Sequence, residues 1–416
     1  MNKRLWAGII CMIIFINAAG WAETDASLYF ARDRQEAWYQ QALTDGIMRL
    51  GNNLRLKRVI ERAQAGEEIT LAVIGGSITE GAGAGQYRSC YAYRFWKGFT
   101  ERFGAGNGAN VHFVNAGVGG TPSTFGLMRY ERDIVRRVTD PDGLPDLVIV
   151  EFAVNDYNEP TRHRCYESLV KTILSQDNAP AVILLFSVFD GGFNLQEELK
   201  KIGNAYDLMM VSVKDAAYGH VGREWTNKEF FSDPYHPTAM GHAVMADCLL
   251  KAVDMAWQTE TAAADIDLDA ESAYGIDFMG LKTVYAEGEY TGIQLDRGGF
   301  ASDDTRSYSN TAVGRVCGKN FYHAASDSSE PLRMTGVFRK LLIAWKASPE
   351  DSFGKARIIL DGKTKSFLKG SKDSWGQSEV ILVLDDQEAS EHTLEIYMMG
   401  SSRDKCFTIT CIGVVE

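Results

Sequence analysis

The stretch TLAVIGGSITEGAG, residues 70–83, decides how the chain folds. From Leu71 to Ile74 it is a short, unbroken apolar run, the pattern of a strand buried on both faces. Gly75 and Gly76 follow without a spacer, and then come Ser77, Ile78 and Thr79. Such a strand ends in a glycine turn with one serine on its lip. Either the turn simply uses Gly and Ser, or Ser77 is held out to react.

Reading outward, residues 53–257 alternate between helical and strand patterns. Leu56, Val59, Ile60 and Ala63 recur at helical spacing. Further apolar runs lie at 111–115 (VHFVN), 146–152 (DLVIVEF), 181–188 (AVILLFSV) and 207–213 (DLMMVSV), with helical patterns near 89–103, 127–138, 161–176, 195–204 and 238–257. Near-continuous Val/Ile/Leu runs separated by helices mean a parallel sheet covered on both sides. The predicted fold over residues 23–258 is a flavodoxin-like, doubly wound α/β domain with five parallel strands. Residues 259–274 have the small, acidic composition of a linker. From 275 to 416 the helical period vanishes, and short strands with turn residues between them predict an all-β sandwich.

Composition bounds the class. A chain of 416 residues exceeds one ordinary core, and 45% hydrophobic with 24% charged residues is globular. A formal charge of -12 argues against nucleic acid or an anionic membrane as partner. Lys3 and Arg4 precede an apolar run from Leu5 to Ile16 and small residues up to Ala22. This is a secretory signal pattern over residues 1–22, too short to span a bilayer, so the expected location is secreted, periplasmic or cell-surface, without stable membrane insertion. Six cysteines remain beyond it, and none has C-x-x-C spacing, so neither a disulfide scaffold nor a zinc site is expected. Cys406 and Cys411 are five apart on one predicted strand, roughly 16 Å, beyond the ~7 Å limit for a disulfide. Cys317 stays open as a partner for either.

In a parallel α/β sheet, ligands bind beyond the carboxyl ends of the strands. Those ends carry GGSIT with Ser77, NAGVGGTPS (115–123) with Gly117, Gly119 and Gly120, and EFAVNDYN (151–158) with Asn155 and Asp156. Before the last helix comes FFSDPYHPTAMGH (230–242) with Asp233 and His236. A serine, a glycine-rich backbone turn, an amide and an Asp/His pair make a full set of parts for acyl transfer. Each alone has a plainer reading as a turn, a loop or a helix cap. Together on one edge they converge. Competing motifs fail: the nucleophile elbow G-x-S-x-G needs glycine at Thr79, and a dinucleotide G-x-G-x-x-G from Gly81 breaks at Gln86.

GGSIT, NAGVGG, FAVND and DPYH resemble, in order, the four sequence blocks of the SGNH (GDSL-like) hydrolases, with Gly76 in place of the usual Asp and Ala153 where glycine is frequent. The resemblance spans residues 70–245. It implies a Ser77 nucleophile, His236 as base and Asp233 as its orienter, with an oxyanion hole of Ser77 N–H, Asn155 and a turn amide. That amide belongs to Gly119 or Gly120, with alignment favouring Gly120. It implies no metal and no cofactor. The loops around these residues are small and polar and supply Tyr157, Asn158 and Tyr235, which suit sugar hydroxyls. Trp345 and Trp375 of the β-domain are candidate stacking platforms, with core packing the favoured role for Trp345 inside LLIAWKA. The expected substrate is therefore an acylated carbohydrate, with acetyl removed from plant polysaccharide such as xylan. The alternatives are a lipase or lysophospholipase, and a carbohydrate-binding protein with an inactive hydrolase domain.

Overall fold

The computed structural model describes residues 34–140, 143–305 and 319–416. The signal pattern at 1–22 and Cys317 lie outside them.

Helix α1 (Ala37–Asp45) leads into a short strand β1 (Ile47–Arg49) and helix α2 (Leu54–Ala65). The five expected parallel strands follow as β2 (Ile69–Gly75), β3 (Val111–Gly117), β4 (Leu147–Glu151), β5 (Ala181–Phe186) and β6 (Met209–Ser212). Their order in the sheet is β6-β5-β4-β2-β3, the flavodoxin arrangement. The sheet has a sixth member, because β1 pairs antiparallel with the outer edge of β6, Ile47 opposite Val211. Three residues with only partial burial carry no periodic signal, so this strand was not legible in the sequence.

The apolar runs divide by parity. Leu71, Val73, Ile149, Ile183 and Val211 face α2, α3–α4 (Ser77–Glu80 and Tyr91–Phe103) and the long C-terminal helix of this domain. Ala72, Ile74, Val148, Val150 and Leu184 face the other layer, built from α5 (Ser123–Asp133), α6 (Arg164–Leu174) and α7 (Gln196–Ala205). Successive side chains of a strand point to opposite faces, so a strand covered on both sides must be apolar throughout.

Beyond helices α8 (Val213–Ala217), α9 (Asn227–Phe230) and α10 (Ala239–Gln258), the chain runs along the α/β layer before entering the β-domain. The acidic segment is fastened down. Asn53 donates to the Glu260 carbonyl and accepts from Ala262 N–H, and buried Arg55 pairs with Asp265 at 2.7 Å. The Glu167 carboxylate accepts the amides of Ala273, Tyr274 and Gly275.

The remaining strands form one antiparallel network. Its path is β12-β11-β13-β10-β14-β7 (Lys363–Lys369, Lys355–Leu360, Ser378–Met398, Leu332–Lys346, Phe407–Val415, Lys282–Val284). Strands β8 (Ile293–Asp296) and β9 (Phe321–His323) attach to β10 and β14. Register shifts near Phe338–Leu342 of β10 mark bulges where a long strand bends. Leu332, Met334, Phe338, Leu341 and Ile343 fill the β-domain's own core. Leu342, Ala344, Cys411 and Val415 instead join the cluster of Phe125, Met128, Cys165 and Leu169 on α5 and α6. The two domains thus share one of the apolar clusters. Arg164, bridging Asp277 and Asp385 at 2.7 Å each, seals its rim.

Cys90, Cys165, Cys248 and Cys406 are free thiols. Cys406 and Cys411 do not pair with each other, as their spacing predicts.

Candidate active site

Ser77 is the first residue of α3, immediately after β2. Gly75 and Gly76 are required there by proximity. A Cβ on Gly75 would lie 2.2 Å from Thr79 Oγ1 and 2.5 Å from the Glu151 carbonyl. A Cβ on Gly76 would lie 2.2 Å from Asn155 Oδ1. Glycine at 76 is what lets the Asn155 amide stand beside the serine.

His236 is delivered by a closed loop. Phe231 and Pro237 form a bridge, and Ser232 N–H donates to the His236 carbonyl at 2.9 Å. Within it Asp233 Oδ1 accepts the amides of Tyr235 and His236 at 2.8 and 3.1 Å, an Asx-type turn. Both carboxylate oxygens lie 2.9 Å from His236 Nδ1, and His236 Nε2 lies 2.9 Å from Ser77 Oγ. Partial burial pushes the Asp233 carboxyl up, but the Tyr235 amide and the His236 ring outweigh it and hold it below the usual range. Asp233 is therefore an anion that favours Nδ1–H and leaves Nε2 free to take a proton from Ser77.

The glycine turn is anchored on three sides. Val118 N–H donates to the Gly75 carbonyl at 3.0 Å, and Asn115 spans from the Thr79 carbonyl to the Gly117 amide. Gly119 N–H donates to Glu80 Oε2 at 2.9 Å. Gly120, at φ +66°, needs the left-handed conformation that glycine allows freely. Behind Asn155, buried Asp156 accepts the Ser123 amide at 2.8 Å and so fixes the start of α5.

Two carboxyl groups lie buried beneath the site. Burial pushes Glu151 up to about 7, against hydrogen bonds from Ser187 and Thr79 that lower it. Burial likewise pushes Asp156 up to about 8. Both carry less negative charge at neutral pH than exposed carboxylates would, which favours any anion developing above them.

The rim is aromatic. Tyr157 (63% exposed) and Tyr235 (58%) stand on it, and Asn158 is exposed beside Tyr157. Phe193 meets Tyr157 edge-on at 6.3 Å, and Phe189 meets Tyr235 at 5.2 Å. Phe189 and Phe193 come from the loop after β5, VFDGGFN, which belongs to none of the four sequence blocks. Trp375, in the turn between β12 and β13, completes the rim from the other domain. Cβ atoms built on Gly119 and Gly120 would approach its indole to 3.4 and 2.6 Å, and the one on Gly119 would also lie 3.5 Å from Ser77 Cβ. Trp345 is partly buried against the β-domain core and donates to the Lys369 carbonyl, so it packs rather than faces the site. Of the remaining histidines, His242 is fully buried and hydrogen-bonded through both ring nitrogens, to Tyr91 N–H and the Ala82 carbonyl.

The geometry agrees with what the chain resembles. The model of the GDSL-like Lipase/Acylhydrolase family matches residues 73–244, which hold all four blocks. Comparison with the curated proteins returns no match. Among solved structures, a two-domain esterase (CEX) active on acetylated mannans, co-crystallised with mannopentaose, is 26% identical. The match covers 90% of this chain and 98% of that one at a TM-score of 0.75. A second structure of a two-domain esterase (CEX) active on acetylated mannans gives 25% identity, 90% and 99% coverage and a TM-score of 0.76. These matches run through both domains, not the hydrolase fold alone. With a GDSL-like lipase/acylhydrolase domain matched over residues 73–244 and likeness to two-domain esterases along nearly its whole length, the chain is an esterase that carries a GDSL-like domain.

Proposed function

We propose that the chain removes acetyl groups from a plant-type polysaccharide outside the cytoplasm, through a Ser77–His236–Asp233 acyl-enzyme mechanism. The observation that carries this is the unbroken hydrogen-bonded line Asp233–His236–Ser77 opening onto a rim of aromatic rings from both domains. Ser77 Oγ attacks the acetyl carbonyl as His236 Nε2 takes its proton. The sugar alkoxide leaves with that proton, and water repeats the sequence to free acetate. The tetrahedral oxyanion is held by the amides of Ser77 and Gly120 and by Asn155. Gly120 is preferred over Gly119 because the Gly119 amide is already given to Glu80.

Aromatic rings alternating with small polar loops suit the faces and hydroxyls of sugars. A lipase at an aggregated interface needs a broad exposed apolar patch, whereas three of the four exposed rim rings here, Tyr157, Tyr235 and Trp375, carry a polar group, and Phe193 alone is wholly apolar. Acetylated mannan is the leading substrate, because relatives active on acetylated mannans match across both domains. Acetylated xylan is the second. Export rests on the signal pattern at residues 1–22. Among the described residues, no helix is long and apolar enough to cross a membrane.

The test is acetate release by the full chain from acetylated mannan, acetylated xylan and p-nitrophenyl esters of increasing chain length. Preference for acetate esters and turnover of the polysaccharides support the reading. Preference for acyl chains of eight or more carbons overturns it in favour of the lipase.

A further inference from the structure

At the opposite end of the sheet from Ser77, where the parallel strands begin, three side chains from three segments converge. Glu68 immediately precedes β2, His112 is the second residue of β3, and Asp140 lies in the loop leading toward β4. One ligand-type atom from each falls within 4.8 Å of the others. His112 Nε2 contacts Glu68 Oε2, and its distance to Asp140 Oδ1 is 3.6 Å.

Asp140 makes this more than a surface ion pair. Its side chain is 1% exposed. Oδ2 accepts a hydrogen bond from Thr70 Oγ1 at 2.5 Å, and Thr70 is the register partner of His112. Oδ1, aimed at the imidazole, is buried without a hydrogen-bond partner. A buried carboxylate oxygen with nothing to accept is costly. A divalent cation held among the three side chains would give that oxygen a partner. The neighbouring cation Arg62 pairs with Glu67 and Asp146.

We propose that Glu68, His112 and Asp140 form a binding site for a zinc-type divalent metal, with water completing the coordination. Mixed imidazole and carboxylate ligands select Zn²⁺ and its first-row neighbours over Ca²⁺ and Mg²⁺, which take oxygen ligands. Tetrahedral Zn²⁺ with bonds of about 2.0–2.1 Å places ligand atoms roughly 3.3 Å apart, close to the 3.6 Å between His112 Nε2 and Asp140 Oδ1. The metal staples the starts of β2 and β3 to the loop before β4. It acts on stability and lies away from the chemistry.

The experiment uses the chelator-treated full chain. Zn²⁺ is expected to bind at one ion per chain. At free metal 100 times its Kd it should shift the unfolding equilibrium about 100-fold toward the native state, read as a rise in Tm. His112→Gln and Asp140→Asn should each weaken binding at least tenfold while leaving kcat on p-nitrophenyl acetate within twofold. His236→Ala, which removes the half-buried imidazole at the other end of the sheet, should leave Zn²⁺ binding and the Tm rise intact. Absence of stoichiometric Zn²⁺, full binding by His112→Gln, loss of binding in His236→Ala, or a Tm rise with Ca²⁺ alone each overturns the proposal.

Discussion

Replacing Gly76 with alanine tests the oxyanion hole through a residue that bears no functional group. The backbone there has φ −87°, so alanine meets no left-handed strain. The obstacle is the Asn155 amide, whose Oδ1, Cγ and Nδ2 would lie 2.2, 2.6 and 2.8 Å from the new Cβ. To reach ordinary van der Waals separation the amide must retreat by about 1 Å, a displacement that can cost on the order of 100-fold in rate. Losing one oxyanion donor outright costs about 10²–10³ in kcat, or roughly 3–4 kcal/mol. Gly76→Ala should therefore lower kcat on p-nitrophenyl acetate by about 10²–10³ with little change in KM, since the interaction forms only in the transition state. Asn155→Ala should give a similar loss. The double variant should lose no more than the worse single, because both act on one donor. Steady-state kinetics of the four proteins, with Tm as a check on folding, completes the cycle. A Gly76→Ala enzyme within threefold of the parent refutes the argument. So does a double variant whose loss is the product of the two singles.

Ser77→Ala and His236→Ala should each lower kcat by several orders of magnitude, about 10⁶ by analogy with triads that act as a unit, and Asp233→Ala by less. Near-parental turnover in folded Ser77→Ala protein would falsify the mechanism. Trp375→Ala should reduce kcat/KM on acetylated oligosaccharides about tenfold or more while leaving p-nitrophenyl acetate nearly untouched, because a stacking ring serves the sugar and not the ester; equal losses on both would instead point to collapse of the Gly119–Gly120 turn. Glu151 has its folded pKa raised to about 7, so its protonated form suits the fold. Its contribution is fully present below the unfolded value of 4.5 and is lost as pH rises through 7, on the order of 3 kcal/mol by pH 8. Glu151→Gln should flatten the stability profile between pH 5 and 8, and an unchanged slope in chemical denaturation counts against it. Ending the chain near residue 262 should expose the face of α5 and α6 that Leu342, Ala344, Cys411 and Val415 cover, giving insoluble or aggregating protein; a soluble, cooperatively folding fragment would show that the shared cluster is dispensable.

Much of the site was legible because its signals are local. A strand end followed by glycines, a glycine turn and an Asx loop are short-range patterns, and residues such as Asp233 and His236 lie three apart. What escaped the reading has the opposite character. Phe189 and Phe193 are ordinary hydrophobic residues until the loop after β5 brings them to the rim beside Tyr157 and Tyr235. The segment after residue 258 has a linker's composition, but no pattern tells a solvated acid from Asp265 paired with Arg55.

By itself, then, the sequence determined the α/β sheet, its carboxyl edge and the four blocks gathered there as a candidate site, because burial on both faces demands unbroken apolar strands and parallel strands all end on one side. Only the tertiary structure decided that β1 closes the sheet's far edge, that one apolar cluster joins the two domains, and that Trp375 lies on the Gly119–Gly120 turn. It also decided that Glu80 takes the Gly119 amide, and that burial lifts Glu151 and Asp156 toward neutrality. These depend on contacts between segments far apart in the chain and on how much water folding removes, and neither is written in any local run of residues.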